Sequence, residues 1–207
     1  MNNENTTKLF DFFREIDKEK FIGRQTYLTG GKRKENDAEH AWHAALMAIL
    51  LSEYSNQSID VLKTVTMILI HDIVEIDAGD TYAYDDVGKR TQREREEKTA
   101  DRIFGILPDE KGNELRELWE EFERNNTPEA NFAHTMDNLQ PMMLNDHTNG
   151  KAWKEHKVLL SKILNRNKTT EQGSSPLWDY AFENLIKPNV EKGNIIDDVS
   201  GKERDSL

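Results

Sequence analysis

Val65-Thr66-Met67-Ile68-Leu69-Ile70-His71-Asp72-Ile73-Val74-Glu75-Ile76 is the stretch whose reading decides the fold. Its apolar residues do not alternate at every second position, as they would in a half-buried strand, so the segment reads as buried helix. Within it stand an imidazole and a carboxylate, His71 and Asp72. Each would cost several kcal/mol if buried without a partner, so something must compensate both. A divalent metal ion is the most economical partner. For the dipeptide alone, an aspartate accepting from a histidine ring on a neighbouring helix would serve as well.

Two further segments converge on the same chemistry. Asp37-Ala38-Glu39-His40-Ala41-Trp42-His43 opens a second apolar helical stretch, and Phe132-Ala133-His134-Thr135-Met136-Asp137-Asn138-Leu139 lies inside a third. Three helices can therefore aim His40, the His71-Asp72 pair and Asp137 at one point. Two imidazoles and two carboxylates suit a borderline-hard divalent ion and balance its charge. Open coordination positions would let such an ion lower the pKa of a water and polarise a phosphate oxygen.

The whole chain narrows the choice. Its 207 residues fit one domain able to bury a real core. A formal charge of −11 argues against a nucleic acid polymer as partner, because such binding needs clustered lysine and arginine. With no cysteine, disulfides and thiolate zinc sites are excluded. The polar start has no leader-like pattern, and no run approaches the roughly 18 apolar residues of a membrane span. The expectation is a soluble cytoplasmic protein without membrane contact, with a homodimer possible on general grounds.

Helical period dominates throughout, which predicts an all-α domain over 1–190 and a flexible tail over 191–207. Thr6 or Thr7 is expected to cap a first helix whose buried face carries Leu9, Phe10, Phe13 and Ile16, and Gly30-Gly31 breaks the segment after it into loop. Asp37 is the expected cap of a second helix running to about Tyr54. Ser58 or Asp60 opens a third, ending near Gly79, and Thr91 a charged fourth with Ala100, Ile103 and Phe104 inward. Its run Gln92 to Lys98 reads as a solvated face with spaced ion pairs. Pro108 and Pro128 fit first turns, another helix is expected over 151–165, and Ser175-Pro176 opens a last one ending before Pro188.

Around the proposed centre, Glu75 stands four residues after His71 and shares its helix face, where a carboxylate can orient a water or take its proton. Asp80 follows the terminator Gly79 and could reach over the site, although a turn aspartate reads equally well. Arg24 and the cluster Lys32-Arg33-Lys34 lie in the loop before the His40 helix, where guanidinium groups can grip a phosphate. His43, three residues after His40, is a rival ligand from the same helix, and only one of the two need face the metal. His134 stands likewise three before Asp137, each bystander being expected to pack or lie partly exposed, and His147 and His156 have no evident partner.

In their order and spacing, His40, His71-Asp72 and Asp137 resemble the HD-domain metal-dependent phosphohydrolases. Arg33-Lys34-Glu35-Asn36-Asp37-Ala38-Glu39-His40, with His71-Asp72-Ile73-Val74-Glu75-Ile76-Asp77-Ala78-Gly79-Asp80, is similar to their 5'-deoxynucleotidase branch, over residues 8 to 165. The resemblance implies an α-helical bundle with additional C-terminal helices, holding one divalent ion (Mn, Co, Zn, Fe or Mg) through His40, His71, Asp72 and Asp137. It implies Glu75 and Asp80 as acid/base carboxylates, Arg24 and Arg33 on the phosphate, and a small phosphorylated molecule as substrate. The implied reaction is hydrolysis of a (deoxy)nucleoside 5'-monophosphate to nucleoside and phosphate. In this branch an aromatic residue commonly follows the arginine aligned with Arg24 and helps to crowd out a ribose 2'-hydroxyl; here Gln25 stands there, with Tyr27 or Trp42 as the alternative source of bulk. Two alternatives are a phosphohydrolase of another nucleotide or phosphorylated metabolite, and a metal-bound nucleotide sensor without turnover. Retention of Glu75 and Asp80 favours an enzyme, because a sensor has no use for proton transfer.

Overall fold

The computed structural model describes residues 3–79 and 89–199 of the chain. The architecture is helical. In chain order the elements are α1 (Asn3–Ile16), a hairpin of β1 (Gly23–Tyr27) and β2 (Lys34–Asn36), α2 (Asp37–Leu51), α3 (Val61–Ile70) and the short α4 (Glu75–Ala78). There follow α5 (Lys89–Phe104), α6 (Asp109–Arg124), α7 (Pro128–His147), α8 (Lys151–Glu155), α9 (Leu160–Asn167), α10 (Thr170–Gly173), α11 (Ser175–Ala181) and α12 (Lys187–Glu191).

The core is built where apolar faces of α2, α3 and α7 meet. Ala44, Ala48, Met67, Ile68, Phe132 and Met136 are all at most 1% exposed and share one cluster. The alanines of α2 admit close helix approach, and the large side chains of α3 and α7 fill the space between. A second cluster joins Phe12 of α1 to Ile70, Ile73 and Val74, then to Ile103 and Phe104 of α5 and Trp119 of α6. The run that opened the sequence reading thus lies between two cores, which is why it is apolar on nearly every side.

Several local expectations are corrected. α1 buries Phe12, while Phe10 and Phe13 are 56% and 55% exposed, so its inner face is turned from the one expected. Asn36, rather than Asp37, caps α2: its side chain accepts from the Glu39 amide while the Glu39 carboxylate accepts from the Asn36 amide. The antiparallel hairpin was not expected, because Gly23 to Tyr27 buries only Thr26 and carries no alternating apolar pattern. The helix expected over 151–165 breaks after Glu155, and the one expected to stop before Pro188 instead passes through a π turn, Phe182–Ile186, into α12. Residues 192–199, expected to belong to a flexible tail, are packed against the domain in part. Ile195 is 1% exposed, Ile196 bridges to Leu159, and the Asp198 carboxylate accepts from the Ser161 amide and hydroxyl. Among the described residues, no helix is long and apolar enough to cross a membrane.

Candidate metal centre

Regular α-helix ends at Ile70, and His71–Val74 form a 3-10 turn before α4. This overwinding brings His71 and Asp72 toward one side while Ile73 and Val74 stay in the second core. The His71 Nδ1–H donates to the Ile68 carbonyl at 2.7 Å, so the other ring nitrogen, Nε2, faces the site. It lies 3.1 Å from Asp72 Oδ2 and 3.7 Å from Asp137 Oδ1, buried and without a hydrogen bond of acceptable geometry. From α2, His40 directs Nε2 to within 3.0 Å of Asp137 Oδ1 and Nδ1 to within 2.9 Å of Gln140 Oε1. The ring is 0% exposed.

One ligand-type atom each from His40, His71 and Asp72 lie within 4.8 Å of one another, with Asp137 beside both rings. Hydrogen bonds explain Nδ1 of each histidine, whereas both Nε2 atoms converge on carboxylate oxygens. That donor set, two nitrogens and two carboxylates around one point with a buried Nε2 lacking a hydrogen bond, fits a divalent cation.

The electrostatics agree. Burial alone would depress the His71 pKa, but Asp72 and Asp137 beside it hold it well above the ordinary histidine value. The two carboxylates are held well below theirs, against the effect of burial: Asp72 by His71 and Arg24, Asp137 by His40 and His71. The site therefore favours positive charge, and a metal would displace protons to enter it. His40, by contrast, is pushed down by burial and by Arg24, against the carboxylates of Asp137 and Asp72.

These groups open onto a cavity of about 250 Å³ lined by Arg24, His71, Asp72, Glu75, Asp137 and Arg166, with Gln92, Glu96, Phe122, Glu123 and His134 completing its wall. Arg24 comes from β1 and is nearly buried. Its Nη1 lies 2.7 Å from Asp72 Oδ2 and 3.2 Å from Asp37 Oδ1, and its Nε lies 3.6 Å from Glu35 Oε1. Its guanidinium thus balances protein carboxylates on one side and lines the cavity on the other. Glu75 is 7% exposed and lines the cavity from the first turn of α4, as its spacing from His71 predicts.

Other expectations fare differently. Arg33 is not brought to the cavity. It is 59% exposed in its side chain and forms a paired bond with Glu39, 2.6 and 2.8 Å, because the capping carboxylate at the start of α2 draws it away. Asp80 lies outside the described residues. His134 turns Nε2 toward the Phe122 carbonyl at 2.8 Å and stacks on the Phe122 ring, a packed bystander at the cavity edge. The charged run of α5 is not wholly a solvated face, since Gln92 and Glu96 form cavity wall and Glu96 is 7% exposed. Burial, with Glu96 nearby, lifts Glu123 to about 7.

Sequence reasoning missed Arg166. It lies on α9 with Nη2 3.7 Å from Asp137 Oδ2, just past the end of the recognised motif region. The amphipathic pattern of α9, with Leu160 and Ile163 buried, was a usable signal for its orientation. Gln140 was missed for another reason: an amide inside an apolar helix has no spacing signature.

Comparison with known proteins bears on family and fold. The HD domain family profile matches residues 16–178. Human 5'-deoxynucleotidase HDDC2 is 28% identical over 136 residues, covering 65% of this chain and 65% of the human protein. The bovine protein of that name is also 28% identical, over 145 residues and 69% of each chain. The match to the human relative thus spans slightly under two thirds of its length. A crystal structure described as a predicted metal-dependent phosphohydrolase, from Magnetospirillum magnetotacticum MS-1, superposes with a TM-score of 0.88 at 43% identity, covering 93% of this chain and 96% of that one. A conserved hypothetical protein from Pyrococcus furiosus shares the fold alone, with a TM-score of 0.60 at 23% identity and coverage of 84% and 97%.

Proposed function

We propose that this chain, which belongs to the HD domain family of metal-dependent phosphohydrolases, removes the 5'-phosphate from a deoxynucleoside monophosphate. The observation that carries this reading is the convergence of His40, His71, Asp72 and Asp137 beneath a cavity that also holds two guanidinium groups. The name of the curated relatives supplies the substrate class.

Within this reading, His40, His71, Asp72 and Asp137 hold one divalent ion. When bound, that ion supplies Lewis acidity toward a phosphate oxygen and acidity to a water. Glu75 holds the attacking water by hydrogen bond and accepts its proton. Arg24 and Arg166 carry the positive charge that an acidic protein needs locally to accept a phosphate dianion, and their planar groups match its oxygens. Asp80 is assigned the leaving oxygen or the sugar on the family resemblance alone. A cavity of about 250 Å³ suits a mononucleotide's reacting end and not a polymer.

Arg166→Ala is expected to raise KM for a phosphomonoester and lower kcat/KM. Loss of a hydrogen bond to a charged group is worth about 1.5–3 kcal/mol, or about ten- to hundredfold. Metal content should stay at the wild-type level, since Arg166 is not among the proposed ligands. An unchanged KM would remove Arg166 from the substrate site.

Substrate class is tested by a metal-replete screen of nucleoside monophosphates, deoxy against ribo. A deoxyribose pocket meets a 2'-hydroxyl with a clash or an unpaired polar group, so dAMP should be favoured over AMP by ~1 to 3 kcal/mol, about five- to 150-fold in kcat/KM. Gln25 does not line the cavity, and Trp42 is 64% exposed, so neither supplies the excluding wall; Phe122 and Gln92 are the candidates that line it. Equal efficiencies on dAMP and AMP would leave a phosphohydrolase without the sugar preference.

A further inference from the structure

Gln140 lies on α7, fully buried, with both ends of its amide engaged. Its Nε2 donates to Glu35 Oε2 at 2.8 Å and lies 3.3 Å from His43 Nδ1. Its Oε1 faces His40 Nδ1 at 2.9 Å. Arg24 Nε, 3.6 Å from Glu35 Oε1, closes the far end of this chain of contacts.

The chemistry of these neighbours sets the direction of the amide. A carboxylate oxygen and an imidazole lone pair both accept, so the NH2 end must face Glu35 and His43, and the carbonyl end must face His40. A carbonyl accepts only, so His40 must carry its proton on Nδ1. Its Nε2 then faces Asp137 Oδ1, 3.0 Å away, on the side where the proposed ligands converge. With Nδ1 committed to a carbonyl, Nε2 is the ring nitrogen left to ligate.

We infer that Gln140 is a positioning residue for the metal centre: through His40 it locks the tautomer whose Nε2 can ligate, and it couples that lock to Arg24 by way of Glu35. The inference rests on the metal-centre reading above. It extends that reading by assigning a role to a side chain that touches neither ion nor substrate. Partners that orient a ligating histidine typically change metal affinity 10- to 100-fold when removed.

Titration calorimetry of the metal-free full-length protein with Mn2+ alone tests this in wild type, Asp72→Ala, Gln140→Met, Gln140→Leu and the exchange variant Glu35→Gln with Gln140→Glu. In the exchange, the amide introduced at position 35 donates to the carboxylate introduced at position 140. That carboxylate in turn accepts from His40 and, once the exposed-side ring of His43 carries its proton on Nδ1, from His43 as well, so every donor again meets an acceptor. The expected result is a Kd about 10- to 100-fold weaker for the Met and Leu variants at wild-type helix content, and recovery to within a few-fold of wild type in the exchange. Wild-type affinity in either folded apolar variant overturns the inference. So does a folded exchange variant that binds as weakly as the apolar ones, since packing and not donor order would then explain the loss. An exchange variant that does not fold counts against it equally, because every donor in it was to meet an acceptor. If Asp72→Ala loses Mn2+ while Gln140→Met keeps it, only the inference about Gln140 falls; if Asp72→Ala binds as wild type does, the metal-centre reading falls with it.

Discussion

Replacing Asp72 by Ala is expected to abolish retention of a divalent ion, measured as metal per chain after desalting, and with it all turnover of phosphomonoesters. Asp72 supplies one of the two carboxylates at the centre, and its Oδ2 lies 3.1 Å from His71 Nε2 and 2.7 Å from Arg24 Nη1. Without it, one carboxylate must offset a doubly charged ion among groups already carrying positive charge, so binding is lost rather than weakened. The fold should survive. Arg24 keeps Asp37 at 3.2 Å and Glu35 at 3.6 Å, so its buried charge is not orphaned, which would otherwise cost about 3–5 kcal/mol. Far-ultraviolet dichroism should therefore match wild type. Asp72→Asn, which keeps the shape and removes the charge, should behave as the Ala variant does. Unaltered metal stoichiometry in either variant would sink the assignment of Asp72.

How much of this was legible in the chain varies with the physical origin of each feature. The two imidazoles and two carboxylates that meet in space were readable because each interrupts an apolar helix, where a polar group is costly enough to need a reason. Glu75 was readable from helical spacing alone, since a residue four positions after His71 shares its face. Arg33 misled because proximity in sequence to His40 does not say which carboxylate a flexible cation will choose, and Glu39 of the capping box is nearer. Arg166 and Gln140 escaped for the opposite reason. They reach the centre through packing of α9 and α7 against it, from 29 and three residues beyond Asp137; the amphipathic pattern of α9 gives the orientation of Arg166 but not its target, and nothing local marks Gln140. The hairpin β1–β2 was hidden by its composition: only Thr26 and Glu35 within it are buried, and Glu35 is a residue whose burial makes sense only beside Arg24 and Gln140.

Glu75→Ala is expected to separate chemistry from coordination. Its carboxylate lines the cavity from the turn after His71 and Asp72, but the four converging ligand atoms come from other residues, so metal stoichiometry should remain that of wild type. Turnover should fall by about two to four powers of ten, the usual contribution of a positioned acid or base. The loss should appear in kcat with little change in KM, because a group that handles water acts mainly in the transition state. Glu75→Gln sharpens the point. The amide can still hold a water by hydrogen bond but cannot accept its proton, so a Gln variant as impaired as the Ala variant assigns Glu75 to proton transfer, whereas substantial recovery assigns it to orientation. Near-normal kcat in the Ala variant would return Glu75 to the role of a buried carboxylate at the cavity wall, and the water would then need another base among Glu96, Glu123 and Asp80.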